Sequence, residues 1–290
     1  MKIVVLGAGG RLGAALMREF RPKYDVAGFN HAQLDLSNLE DLCEKVGATT
    51  FDVLINAAAF TNVDACWTER DRAFLINAEA PGVLAEICNE KDAKLIHFST
   101  DYVFDGEKRA PYTEEDQANP ISAYGESKLA GEKNVLAAED GHLVVRVSWV
   151  FGPDRPSFID AMIKRAQQDE KIDAISDKFS TPTYTHDIAR MLPQFFDRDV
   201  AGGVLHFANA GKCSWQEYAQ WALECCRDGG IPLKGRTVGA LKLSEMTNWV
   251  ARRPVYSVLS TAKYTELTGT APRAWREAVA DYITHFYSKK

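Results

Sequence analysis

No stretch of the 290-residue chain is apolar for long enough to span a bilayer, and no leader-like segment precedes the first strand-like run, Lys2 to Leu6. A cytoplasmic protein without membrane contact is therefore expected. Basic runs are also missing. With 34 Lys and Arg against 40 Asp and Glu the net charge is −6, which gives no electrostatic case for nucleic acid or an anionic membrane. The six cysteines, Cys43, Cys66, Cys88, Cys213, Cys225 and Cys226, lack metal-ligand spacing, so neither a metal site nor a secreted disulfide framework is expected. The adjacent Cys225-Cys226 pair suits helix packing, with a redox role as the alternative. No repeat or low-complexity tract occurs. What is present is a globular composition, 46% hydrophobic, enough for a sizeable core in one large α/β unit or two domains.

Short apolar segments alternate with amphipathic ones through the first half. Residues 2–6, 24–29, 51–56, 94–99 and 142–148 have strand character, and residues 38–46, 70–90 and 122–138 helical character. This order predicts an α/β fold, a doubly wound parallel sheet of Rossmann-like type with its ligand crevice at the carboxyl ends of the strands. Beyond residue 150 the alternation breaks. Helices are expected at 157–169, 215–227 and 274–287, with connections at 177–184 and 229–232, and this half should carry substrate specificity.

The first strand runs straight into Gly7-Ala8-Gly9-Gly10-Arg11-Leu12-Gly13. Gly7, Gly10 and Gly13 recur every third residue, which lets the backbone turn tightly, approach a pyrophosphate and pack the next helix on the strand. The unpaired N–H groups of that helix would face the phosphates. Asn56-Ala57-Ala58-Ala59, Ser99-Thr100 and Ser148-Trp149 fall at other strand ends. The small alanines suit either core packing or room for a flat cofactor.

Tyr124 and Lys128 stand four apart in a helical segment and so share one face. A free phenol releases its proton near pH ~10, and an adjacent ammonium that favours the phenolate would make it a better acid near neutrality. Hydride addition to a ketone leaves an alkoxide that needs such a proton, which Tyr124 would supply while Thr100 hydrogen-bonds the same oxygen.

These pieces are joined by Asn56 to Asp64, Asn77-Ala78-Glu79-Ala80-Pro81, Ser99 to Gly106, Asn119 to Glu132, Arg146 to Gly152 and Arg252-Arg253-Pro254 with Ser257. Over nearly the whole chain the combination resembles the extended short-chain dehydrogenase/reductase family, and within it the reductases that complete dTDP-L-rhamnose synthesis. The resemblance implies reduction of the 4-keto group of a nucleotide-linked 6-deoxyhexose, dTDP-4-dehydro-L-rhamnose becoming dTDP-L-rhamnose. It implies a catalytic trio of Thr100, Tyr124 and Lys128, with Lys128 also reaching the nicotinamide ribose. Val63, Asp101, Tyr102 and Trp149 would line the sugar pocket, while the glycine loop, Asp35-Leu36 beside the adenine, and Ala57, Ala58 and Ala59 would hold the cofactor. On its chemistry alone Trp149 fits a buried strand-end aromatic equally well. The family shape also implies a dinucleotide-binding domain over residues 1–150 and a smaller, mainly substrate-binding domain over 151–290, interleaved with late elements of the sheet.

Dehydratases of this family place a Glu where Tyr102 stands, so simple reduction is favoured over dehydration. A nucleotide-sugar epimerase, and a non-catalytic regulatory subunit like that of methionine adenosyltransferase, are the alternatives. Cys66-Trp67-Thr68 departs from the family pattern, and Trp67 either reshapes the floor of the sugar pocket or packs at a helix start. The second strand ends Gly28-Phe29-Asn30-His31 without the carboxylate that would bind the ribose of NADH. Arg11 could face a 2′-phosphate beside Asn30, so NADPH is expected ahead of NADH, with a solvated loop charge as the other reading of Arg11. Arg252 and Arg253 are candidates for the substrate diphosphate or for solvent. A nucleotide sugar is the expected partner, and a homodimer is left open.

Overall fold

Side chains alternate across a strand, so a strand that is apolar throughout must be covered on both faces. In β1 (Lys2–Leu6), Ile3 and Val5 join one hydrophobic cluster and Val4 and Leu6 another. β3 (Val53–Asn56), β4 (Lys94–Thr100) and β5 (Leu143–Val147) divide in the same way, and β2 (Asp25–Phe29) forms one edge. In the computed structural model, which describes residues 1–139 and 141–287, these strands and β6 (Gly203–Phe207) make a six-stranded sheet in the order β6-β5-β4-β3-β1-β2. Every neighbouring pair is parallel. The order reverses at β1, and the loops leaving β1 and β3 open the crevice where this sheet class takes ligands.

On one face α1 (Arg11–Phe20) packs Leu12, Leu16 and Phe20 against the sheet. On the other, α2 (Leu39–Ala48) contributes Leu42 and Val46. The chain then runs through α3 (Val63–Thr68) and α4 (Arg70–Phe74) to α5 (Ala80–Glu90) and α6 (Ala123–Ala138), which bring Leu84, Ile87 and Val135 to that second face. Beyond the sheet, α7 (Phe158–Gln168) begins the second half. α8 (Thr185–Met191) returns to the α1 side with Ile188, while α9 (Trp215–Asp228), α10 (Ala262–Thr268) and α11 (Trp275–Phe286) follow. Ile159 and Met162 of α7, Tyr218 and Leu223 of α9, and Val279 and Ile283 of α11 form a separate core around the parallel pair Ile172–Ile175 and Val238–Leu241.

The helical run at 70–90 is not one helix. α4 and α5 are separated by a π turn, Leu75–Glu79. Pro81 has no N–H to return to the Asn77 carbonyl, and the hydrogen-bond ladder widens there. The turn aims Asn77 inward, where its side chain both accepts from Phe60 N at 2.9 Å and donates to Phe60 O at 3.0 Å. The loop after the alanine run is thereby held in place. Residues 177–184, expected as a connection, carry two short strands, Phe179–Ser180 and Thr183–Tyr184. These pair with Cys213–Ser214 and Val150–Phe151. β6 was not read from the sequence: it is reached after an excursion of more than fifty residues, outside the regular alternation of the first half.

Candidate functional site

The glycine loop and the alanine run meet because Ala57 N donates to Leu6 O at 3.1 Å. Gly7 has φ 74°, and a Cβ there would lie 2.8 Å from Ala58 N, so both the turn and the close approach need glycine. A Cβ on Gly13 would fall 2.1 Å from Gly7 O, which explains why α1 can lie so tightly on the loop. α1 has no side-chain cap and no acid in its first turn. Its leading N–H groups therefore remain available for a phosphate, and this cradle fits a dinucleotide.

α6 starts where the Ser122 hydroxyl accepts from Gly125 N at 3.2 Å, placing Tyr124 in the first turn. A Cβ on Gly125 would lie 2.2 Å from Tyr102 O, so the helix start abuts the turn after β4, and the Tyr102 and Tyr124 rings sit 5.6 Å apart. Lys128 and Glu132 follow on the same face at helical spacing. Glu132 accepts two hydrogen bonds from Arg146 of β5, at 2.9 and 2.6 Å, and one from Ser99 of β4 at 2.5 Å. This buried clasp pins the helix that carries Tyr124 and Lys128 to the sheet.

Lys128 is itself buried, donating to Phe98 O at 2.7 Å and lying 3.1 Å from His97 Nε2. Burial lowers its ammonium to about 8. The Tyr124 phenol is pushed up by burial, with the Thr100 hydroxyl acting in the opposite direction. The phenol thus stays protonated at neutral pH, and Lys128, expected to favour the phenolate, is held from behind by Phe98 O and His97. If the charged lysine is the working form, kcat/KM should fall as pH rises through about 8, because the ammonium is lost there. A pH–rate profile flat well beyond that point would remove Lys128 from the reaction.

Thr100 ends β4, and Asp101 lies beyond it, fully enclosed. Asp101 accepts from Ser257 at 2.5 Å, Ser180 at 3.0 Å, Ser148 at 3.2 Å and Thr100 at 3.2 Å. Burial raises its carboxyl, opposed by Lys178 and by these hydroxyls. The Lys178 ammonium, lowered to about 8 by burial, lies 5.2 Å from the Tyr102 ring centre and 5.5 Å from that of Trp149. It has no hydrogen-bond partner among the described residues. Trp149 has φ 39°, an unusual backbone for a large residue, and its Nε1 is buried and unpartnered.

One cleft of about 1090 Å³ unites most of the expected positions. Gly7, Gly10, Arg11, Leu12, Asn30, Asp35, Leu36 and Ala57 to Ala59 line one end, and Val63, Thr100, Asp101, Tyr102, Tyr124, Lys128 and Trp149 the other. Gly13 packs α1 on the loop as expected, but as a cofactor contact it is corrected, since it does not line the cleft. Three other expectations change. Arg253 does not line the cleft either: its guanidinium pairs with Asp64 at 2.7 Å and stacks over Trp249 at 3.9 Å, which clasps the 249–253 segment to α3. Trp67 is 53% exposed and lies outside the cleft, so it is not the pocket floor. The Arg11 side chain crosses to the carbonyls of Val150, Arg155 and Pro156. Cys225 and Cys226 lie on α9 with their thiols pushed up by burial to about 11 and about 12, which disfavours the reactive thiolate.

The sequence reading missed Lys178, His97 and Arg155, and named Asn77 in a motif without giving it a role. Lys178 and Arg155 lie in segments whose pattern reads only as loop, and His97 looks like any strand residue. Asn77 could have been singled out from the Pro81 four residues later.

A parallel sheet with a glycine loop at its first strand end, and Thr100, Tyr124 and Lys128 in the adjoining cleft, define an NAD(P)H-dependent oxidoreductase of the short-chain dehydrogenase/reductase type. The chain belongs to the family described as RmlD substrate binding domain, whose model matches residues 1–288. It is 40% identical to a dTDP-4-dehydrorhamnose reductase of Mycolicibacterium smegmatis, over 97% of this chain and 85% of that protein. It is 34% identical to the spore coat polysaccharide biosynthesis protein SpsK of Bacillus subtilis, over 97% of this chain and 96% of that one. A Bacillus anthracis dTDP-4-dehydrorhamnose reductase, solved in complex with NADP, superposes with a TM-score of 0.90 at 31% identity, covering 97% of this chain and 98% of the other. No helix among the described residues is long and apolar enough to cross a membrane.

Proposed function

We propose that this protein reduces the 4-keto group of a nucleotide-linked 6-deoxyhexose with NADPH, converting dTDP-4-dehydro-L-rhamnose to dTDP-L-rhamnose. The observation that carries the reading is the convergence of Thr100, Tyr124 and Lys128 in one cleft continuous with the glycine loop. When bound, the nicotinamide supplies the hydride. Tyr124, kept protonated by burial, gives its proton to the oxygen that becomes the hydroxyl, and Thr100 hydrogen-bonds that oxygen. Asp101 orders the pocket in this reading: its Oδ2 gathers the hydroxyls of Ser148, Ser180 and Ser257, and its Oδ1 faces Thr100. With Tyr102 beside Tyr124, no carboxylate stands ready to move a carbon-bound proton, which favours reduction over dehydration. Lys128 fixes the ribose side of the cofactor. The relatives named as dTDP-4-dehydrorhamnose reductases, one of them holding NADP, support the same substrate and cofactor.

The same reading places the enzyme in the cytoplasm, gives residues 151–290 most of the substrate side, and makes a homodimer the assembly to test by sedimentation. Incubation with NADPH and dTDP-4-dehydro-L-rhamnose should consume the cofactor in step with substrate, followed by its absorbance. Turnover of a nucleotide sugar without net nicotinamide loss would replace the reductase with an epimerase. A folded protein that binds NADPH yet oxidises none, and that co-purifies with a larger enzyme, would support the regulatory-subunit alternative.

A further inference from the structure

We propose that Arg155, rather than Arg11, selects a 2′-phosphorylated dinucleotide in this chain, its guanidinium meeting the phosphate on the adenosine ribose. The inference rests on the reading that the cleft holds a nicotinamide dinucleotide. It starts from what Arg11 is already doing. Arg11 Nε donates to Arg155 O at 3.1 Å, Nη1 to Val150 O at 3.3 Å and Nη2 to Pro156 O at 2.5 Å. All three nitrogens are engaged with one segment, and turning them to a phosphate would release it.

Arg155 is held differently. Its Nε donates to Gly9 O at 2.7 Å, which anchors the side chain on the glycine loop. Among the described residues neither of its terminal nitrogens has a hydrogen-bond or ion-pair partner. Gly9 marks where they lie, since a Cβ built on it would be 3.3 Å from Asn30 Cβ and 4.0 Å from Arg155 Nη2. The guanidinium end therefore sits beside the junction of the glycine loop with the end of β2, the place at which this sheet class reads the adenosine ribose. Arg155, Asn30 and His31 line the cleft together. The neighbouring acids are engaged elsewhere: Asp154 pairs with Arg18, and Asp35 accepts from Ser37 and lies 3.9 Å from His31. Arg155 thus presents a forked donor without an acidic partner of its own where a 2′-phosphate would add a dianion, and the one carboxylate in that part of the lining, Asp35, is turned to Ser37 and His31.

The test is a binding titration that needs no sugar substrate. NADPH and NADH fluorescence is followed with wild type, Arg155→Met, Arg155→Lys and Arg11→Met, and adenosine 2′,5′-bisphosphate is compared with adenosine 5′-phosphate by calorimetry. Arg155→Met should weaken NADPH and the bisphosphate by about tenfold or more, as expected for a lost charge-assisted contact, and weaken NADH and the monophosphate far less. Arg155→Lys should recover part of the difference, and added salt should narrow it. Arg11→Met should weaken both dinucleotides alike, because it frees the 150–156 segment. Equal losses of NADPH and NADH in Arg155→Met would overturn the proposal, showing that the side chain only holds the loop or meets the diphosphate. Retained NADPH affinity would overturn it as well. A wild-type protein that binds neither dinucleotide would refute the functional reading itself, an outcome distinct from either.

Discussion

Replacing Tyr124 with phenylalanine is expected to lower kcat roughly 10²- to 10⁴-fold, the range over which a positioned general acid acts, while NADPH still binds. The substitution removes one oxygen and keeps the ring. The ring's packing, 5.6 Å from Tyr102 at an interplanar angle of 69°, is therefore preserved, and so are the cleft walls. The effect should fall on kcat rather than KM, since the phenolic proton is needed as negative charge develops on the sugar oxygen. Steady-state kinetics with a parallel cofactor titration checks this. Turnover within a few-fold of wild type would take Tyr124 out of the proton-transfer step and leave the cleft as a binding site without its assigned acid.

Glu132→Ala should cost about 3 to 5 kcal/mol of stability by leaving Arg146 charged and without its carboxylate inside the molecule. The two side chains are 5% and 2% exposed, and the pair is bidentate. Ser99 loses its acceptor in the same step. The guanidinium also lies 5.1 Å from the Phe104 ring centre, too weak a contact to replace the carboxylate. Pairing Glu132→Leu with Arg146→Met should restore much of the loss, because a buried ion pair exchanged for apolar groups of similar volume is often neutral. Denaturant unfolding of the single and double variants measures this. A loss below about 1 kcal/mol for Glu132→Ala would mean that water reaches the pair and that α6 is held mainly by its apolar contacts.

Several levels of this protein were legible in order. Strand positions followed from short apolar runs because a sheet covered on both faces permits little else, and all five strands read from the first half recur in the structure with ends shifted by a residue or two. The glycine loop was legible because a backbone that must turn at Gly7 and admit α1 at Gly13 tolerates no Cβ. Helical spacing set Tyr124 and Lys128 on one face, and the glycine loop and the family resemblance around them singled the pair out. Charged side chains were not legible. For Arg11 and Arg253 the sequence left phosphate and solvent both open, and the structure gives each a protein partner distant in sequence, the carbonyls of 150–156 for Arg11 and Asp64 for Arg253. A long flexible side chain has many rotamers, and its charge says nothing about which distant acceptor will claim it.

By itself the sequence determined the class of sheet and pointed to the glycine cradle, consequences of backbone sterics and periodicity, while Tyr124 as proposed proton donor came from the family resemblance joined to its side-chain chemistry. Only the tertiary structure decided what surrounds them. It closed Asp101 within three serines drawn from separate segments, placed Lys178 behind Tyr102 and Trp149, and locked α6 to two strands through Glu132. It also turned Arg11 away and brought Arg155 to the glycine loop. Those contacts join residues up to 156 positions apart, so no local pattern encodes them, and each exists only because the folded sheet brings distant segments together.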